Sequence, residues 1–135
     1  MIRNLICLAA ELWRYDSIQF GLSLPRQQGF WIIGLADGKT PQVYIWSTPV
    51  GYSAAKSSAR IRLSVQRDQA ARKTVYNCTV PYSAIGLTQA KGKEGFNIDF
   101  LVNDNDGRRR ESFLRLTPGI GNVAEPALWK KIIVK

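Results

Sequence analysis

Residues Phe96 to Leu116, FNIDFLVNDNDGRRRESFLRL, carry the reading that decides the fold. Phe96, Ile98, Phe100 and Val102 alternate with Asn97, Asp99, Leu101 and Asn103, the period of two of a strand with one buried face. On that period the set of Phe96, Ile98, Phe100 and Val102 is the expected core face. Asn103-Asp104-Asn105-Asp106-Gly107 then gathers five turn-forming residues. Asn and Asp bond their own backbone and tolerate positive φ, and Gly takes it without steric cost. Arg108 to Leu116 leaves on the other side, with Phe113, Leu114 and Leu116 offering apolar contacts. The stretch reads as strand, acidic turn, strand, and the acidic turn is either a plain hairpin or a site.

Working outward, the same alternation recurs at short intervals. Ile18, Phe20, Leu22 and Leu24 alternate with Ser17, Gln19, Gly21 and Ser23, and Pro25 to Gly29 reads as a turn. Phe30 to Ala36 is a second expected strand, Asp37-Gly38-Lys39 a tight turn, and Gln42 to Ser47 a third strand. Thr48 to Ser58 reads as a polar loop. Arg60 to Arg67 and Lys73 to Val80 read as two strands joined by a turn at Asp68 to Arg72, with Tyr76, Cys78 and Val80 on one face. Pro81 to Gly86 suits a short helical turn, and Ala90 to Gly95 reads as a basic loop. Gly119 to Pro126 is a loop, and Lys130 to Val134 a closing strand. Leu5 to Leu12 suits either a short helix or a strand. Seven or eight short strands with almost no helix predict an all-β, antiparallel two-sheet sandwich, jelly-roll-like, in one domain over residues 1–135.

Composition bounds the chemistry. An apolar fraction of 45% is enough for a core. The apolar stretch Leu5 to Ala10 is far too short for a membrane span, and Glu11 and Arg14 follow it without a cleavage pattern, so no targeting segment and no membrane partner are expected. With no His and only two Cys, a typical zinc or copper site and His-based acid–base catalysis are excluded. Cys7 and Cys78 can pair if the fold brings them together, but two cysteines so far apart in sequence are more often free and buried. The net charge of +9 is compatible with a soluble basic surface, an anionic polysaccharide or nucleic acid, and the one dense cluster is Arg108-Arg109-Arg110.

Four stretches resemble the family 9 carbohydrate-binding modules and their relatives. Leu12-Trp-Arg-Tyr-Asp-Ser-Ile-Gln-Phe20 resembles their "W-x-x-D-S-I-Q" strand, and Tyr76-Asn-Cys-Thr-Val-Pro-Tyr82 their strand running into a Pro and an aromatic. Phe96 to Gly107 is similar to their hairpin ending "V-N-D-x-D-G", and Gly119 to Trp129 to their closing loop with an acid–Pro pair. Order and spacing agree from about residue 12 to 135. The resemblance implies a β-sandwich that binds sugars without catalysis, as an extracellular accessory of glycan degradation. The family has several dozen more residues ahead of the stretch matching Leu12. A sandwich without those edge strands is expected to dimerise or rearrange its sheet. The family also holds its ligand between two rings, one often placed where this chain has Leu114 and Leu116.

Sugar recognition needs flat rings for the C–H surface and planar polar groups for pairs of hydroxyls. Tyr44 and Trp46 share a parity before the Thr48 loop and are the leading stacking candidates. Trp31, Gln19, Asn103, Asp104 and Arg110 complete the candidate sugar site, although Trp31 shares its strand face with Ile33 and Leu35 and suits the core better than a ligand. Trp13 and Trp129 read as packing residues. Asp104 and Asp106 are candidate calcium ligands, without the bidentate Glu of a helix-flanked calcium loop. No other cofactor is expected. Three functions compete: a carbohydrate-binding module, an assembly domain that kept the fold and lost the ligand, and a binder of anionic glycans or nucleic acid through the basic surface. Nucleic acid is the least favoured of these partners, since no aromatics are interleaved with the basic residues. Catalysis by paired carboxylates is not expected, because the acids are scattered over turns and strands.

Overall fold

The computed structural model describes residues 16–36, 40–104, 112–121 and 123–135. The segment Leu5 to Leu12, Trp13, the turn Asp37 to Lys39, and Asn105 to Arg110 with Asp106 and Arg110 lie outside the described residues. Eight strands are described: β1 (Ser17–Ser23), β2 (Trp31–Ala36), β3 (Gln42–Ser47), β4 (Arg62–Asp68), β5 (Lys73–Thr79), β6 (Phe96–Asp104), β7 (Ser112–Arg115) and β8 (Lys130–Ile132). Three short helices accompany them: α1 (Ala54–Ser58), α2 (Tyr82–Ile85) and α3 (Gln89–Glu94). The chain is an all-β sandwich of two antiparallel sheets. The large sheet runs β3-β2-β1-β6-β7, with β8 also pairing β6; the small sheet is the β4–β5 hairpin.

Most of the expected alternation is present. Leu22 and Leu24 from β1 and its exit, Trp31, Ile33 and Leu35 from β2, and Ile45 from β3 form one buried face. Leu63, Tyr76, Cys78 and Val80 pack on it from the small sheet, and Ile85 and Leu87 close one end. Each fully buried large apolar side chain contributes about 1.5–3 kcal/mol, so this layer contact is the main source of cohesion. Burial also raises the Cys78 thiol above its ordinary pKa, by desolvation of the charged form. Pro81 enters α2 and Gly86 leaves it at φ 71°, as the helical-turn reading requires.

Three expectations are corrected. The stretch Ala90 to Gly95 is not a loop but lies mostly in α3, capped by the Thr88 hydroxyl, which accepts from Lys91 N at 3.2 Å. The loop Thr48 to Ser58 contains α1, capped in the same way by Ser53. The third correction is the phase of β6. Asp99 and Leu101 are 0% exposed and Asn103 is 2%, whereas Phe100, expected in the core, is 39% exposed. The reason is that β6 is an interior strand whose Asp99, Leu101 and Asn103 face is covered as well. Phe96 and Ile98 pack on the core as expected, but the core layer does not extend to Phe100.

The other face of β6 lies beneath the segment from Thr117 to Trp129. Asp99 anchors that cover. Its carboxylate accepts from Phe100 N at 2.9 Å, from Thr117 N at 3.1 Å, and from the Thr117 hydroxyl. Thr117 Oγ1 in turn accepts from Gly119 N at 3.0 Å, and Trp129 Nε1 donates to the Gly119 carbonyl at 2.7 Å. Ile120, 1% exposed, and Trp129, 5% exposed, complete the apolar part of the cover. Replacing Asp99 with Ala leaves buried donors unmatched and is expected to cost about 3 kcal/mol, with Asp99→Asn losing less because an acceptor remains. Urea unfolding midpoints of the two variants check this; equal and negligible losses would remove Asp99 from the role of anchor.

Candidate functional site

The face of the large sheet opposite the main core carries one row of paired residues: Tyr44, Gly34, Gln19, Leu101 and Arg115, from β3 through β2, β1 and β6 to β7. Two glycines on this face receive indole rings. A Cβ on Gly34 would stand 2.2 Å from Trp46 Cζ3, and one on Gly21 2.4 Å from Trp129 Cη2. Both rings therefore rest directly on the backbone of the sheet, a contact only glycine permits.

Trp46 reaches Gly34 because β3 is irregular there. Ile32 pairs with Ser47 while Ile33 pairs with Ile45, so Trp46 is an extra residue on the edge strand. A bulge of this kind bends the strand and re-aims a side chain, a device common at sites. Trp46 stays half-buried, with its ring edge-on to Tyr44 at 5.3 Å and 74°. The shared parity expected for Tyr44 and Trp46 is found, and both present partly exposed ring surface.

Gln19 pairs with Gly34 and is followed two residues on by Gly21, so its amide stands between the two positions that carry indole rings. It is only 9% exposed, and its side chain has no hydrogen-bond partner among the described residues. Buried amides are almost always paired, because an unmatched one costs about 1–3 kcal/mol. A primary amide both donates and accepts in one plane, which matches two neighbouring hydroxyls. At the far end of the row, Arg115 donates to the Ile120 carbonyl at 3.4 Å and lies 5.3 Å from the Phe113 ring centroid. Sequence reasoning passed over Arg115. Its signal was its parity with Phe113, legible only once β7 is paired in register with Leu101 and Asn103.

The remaining candidates are placed elsewhere. Trp31 is 0% exposed in the core, donates Nε1 to Gln27 Oε1 at 3.1 Å and packs edge-on against Tyr52, so it offers no face to a ligand. Asn103 is buried and donates Nδ2 to Ser17 Oγ at 3.1 Å, linking β1 to β6. Asp104 has the opposite parity, is exposed, and accepts from Ser112 Oγ at 3.4 Å. Among the described residues no group of three His, Cys, Asp or Glu is placed to hold a metal ion. Two clefts are found among the described residues, the second at the β1–β6–β8 end of the face that carries Gln19. An apolar one of about 310 Å³ is lined by Tyr82, Leu87 and Val134, and an open one of about 370 Å³ by Ser23, Asn97 and Lys131.

Compared with known proteins, the chain matches no family model, no curated protein and no solved structure. What the site can do therefore rests on its own geometry: partly exposed rings beside a buried planar amide that is unmatched among the described residues. Gly34→Ala is expected to lift the Trp46 ring off the sheet and to cost about 1–3 kcal/mol by overpacking. A changed Trp46 fluorescence maximum in a Trp-reporter background, with a lowered thermal midpoint, checks this; an unshifted spectrum would show that the ring does not rest there.

Proposed function

We propose that this chain is a non-catalytic carbohydrate-binding domain whose ligand lies across the Gln19 face, stacked on Trp46 and Tyr44. The observation that carries this reading is the Gln19 amide, buried on a sheet face and unmatched among the described residues. Rings take the apolar C–H surface of a sugar, and the amide takes a pair of its hydroxyls. The resemblance of residues 12–135 to family 9 carbohydrate-binding modules supports the same class. Among the described residues nothing on this face pairs two carboxylates across a cleft, and this reading has the ligand held rather than cleaved.

The test is a glycan-array screen at low and high salt, followed by calorimetry on the strongest hit. Trp46→Ala is expected to weaken binding by more than about 1 kcal/mol in a folded protein. Gln19→Leu is expected to weaken it at least about tenfold while holding or raising the thermal midpoint, because the substitution removes an unmatched buried polar group. Wild-type affinity in both folded variants would move the site elsewhere.

A second reading is favoured by a specific surface. Phe100, Leu114 and Leu116 are 39%, 70% and 42% exposed on the side of β6 and β7 that the small sheet leaves uncovered. Beside them the outer edge of β7 pairs with no strand among the described residues. An open edge flanked by apolar side chains suits antiparallel pairing with a second copy. A dimer at micromolar concentration in sedimentation, dissociated by Leu114→Glu, is the expected outcome; a monomer throughout would contradict it.

A further inference from the structure

The chain's positive charge is not evenly distributed once folded. Between Thr40 and Lys93 the sequence has eight Lys and Arg and a single acid, Asp68, so this segment holds seven of the nine net charges. Six of those cations, Lys56, Arg60, Arg62, Arg67, Arg72 and Lys73, lie on α1, the β4–β5 hairpin and its approach, and all six are exposed. Arg67 alone faces an acid, Asp16 at 3.9 Å; the other five make no ion pair among the described residues. Asp68 is itself occupied, accepting from Ala71 N at 3.1 Å in the hairpin turn.

The hairpin buries Leu63, Tyr76 and Cys78 against the core, so its alternate residues form the outer surface of the molecule. There Arg62, Ser64 and Gln66 stand opposite Thr79, Asn77 and Val75. At the hairpin turn Arg72 adopts φ 51°, a conformation that Gly or Asn adopts at lower cost. Beyond the strand start, Arg60 donates to Ser83 Oγ at 2.5 Å, and the neighbouring Tyr82 ring is 60% exposed.

We infer that this outer surface of the small sheet is a second binding site, for an anionic polysaccharide bearing carboxylate or sulfate groups. Unpaired guanidinium groups meet the anions in planar, two-pronged contacts. Ser64, Gln66, Asn77 and Thr79 between them are neutral donors and acceptors suited to hydroxyls. The hairpin surface carries no exposed ring among its described residues, where a single nucleic-acid strand would need a row of them for its bases. The site lies on the opposite side of the sandwich from Gln19 and does not depend on the neutral-sugar reading.

The test uses the full chain with polygalacturonate, single-stranded DNA and duplex DNA as probes, across a salt series from about 50 to 250 mM. Wild type is expected to bind polygalacturonate with affinity falling at least about tenfold over that range. Arg60→Glu with Arg62→Glu and Arg72→Asn is expected to lose at least about tenfold at the lowest salt; Asn is chosen because it tolerates the left-handed turn. Arg62→Gln alone, which leaves the fold untouched, is expected to lose two- to threefold. Gln19→Leu is expected to bind polygalacturonate as wild type does, which separates this site from the neutral one. Unchanged affinity in the folded charge variants would overturn the inference, as would tighter binding of either DNA than of polygalacturonate at equal salt.

Discussion

The hydrogen bonds between the Asp99 carboxylate and Thr117 hold the second face of this protein together. A carboxylate in an interior strand is costly unless its lone pairs are met, and here three donors converge on it. Because two of them come from Thr117, the chain is fixed to the sheet at the point where it leaves β7. Everything that follows is positioned from there: Gly119 by the Thr117 hydroxyl, Trp129 by the Gly119 carbonyl, and Gly21 by the ring laid on it. Gln19 stands between the two glycines that carry indole rings, paired with Gly34 and two residues before Gly21.

The outcome is a sandwich with two chemically distinct outer surfaces. On the large sheet, rings lie on glycines around a neutral amide; on the small sheet, cations stand among hydroxyls and amides. The layer between them is apolar and contributes cohesion, with Trp31, Ile33 and Leu35 at its centre. Glycine at Gly21 and Gly34 has the same meaning twice, since each is the seat of an indole ring.

Much of this was legible in the chain. Strict alternation in Ser17 to Leu24 located β1, because a strand with one apolar face writes its period into the sequence, and the β-forming run Gln42 to Ser47 after a turn located β3. The stretch Phe96 to Asp104 misled for the opposite reason. The face that carries Asp99 and Asn103 is covered while the other is open at Phe100, so polarity no longer reports burial, and Asp99 and Asn103 are more deeply buried than Phe100. Helix α3 was hidden by Gly92 within a short basic run. For the site, Tyr44, Trp46 and Gln19 were named from side-chain chemistry and parity alone. Their convergence was not legible, because it depends on a bulge and on two glycines in different strands. Trp31 was separable from Trp46 by its face, which it shares with Ile33 and Leu35, and it is found fully buried in the core against Tyr52.

The pairing of β1 with β6 at the centre of the large sheet bears on how the molecule is made. Ser17 and Asn103 are 86 residues apart, yet they are neighbours across that ladder. Closing so long a loop costs entropy before any contact repays it, which places such topologies among the slower folders, on the order of milliseconds to seconds. On a ribosome, β1, β2 and β3 emerge and pair locally while the inner edge of β1 waits for a partner from the last third of the chain. Through that interval the nascent sheet presents an unpaired apolar edge, and the speed of elongation, rather than the stability of the finished fold, sets how long it is exposed to misassembly.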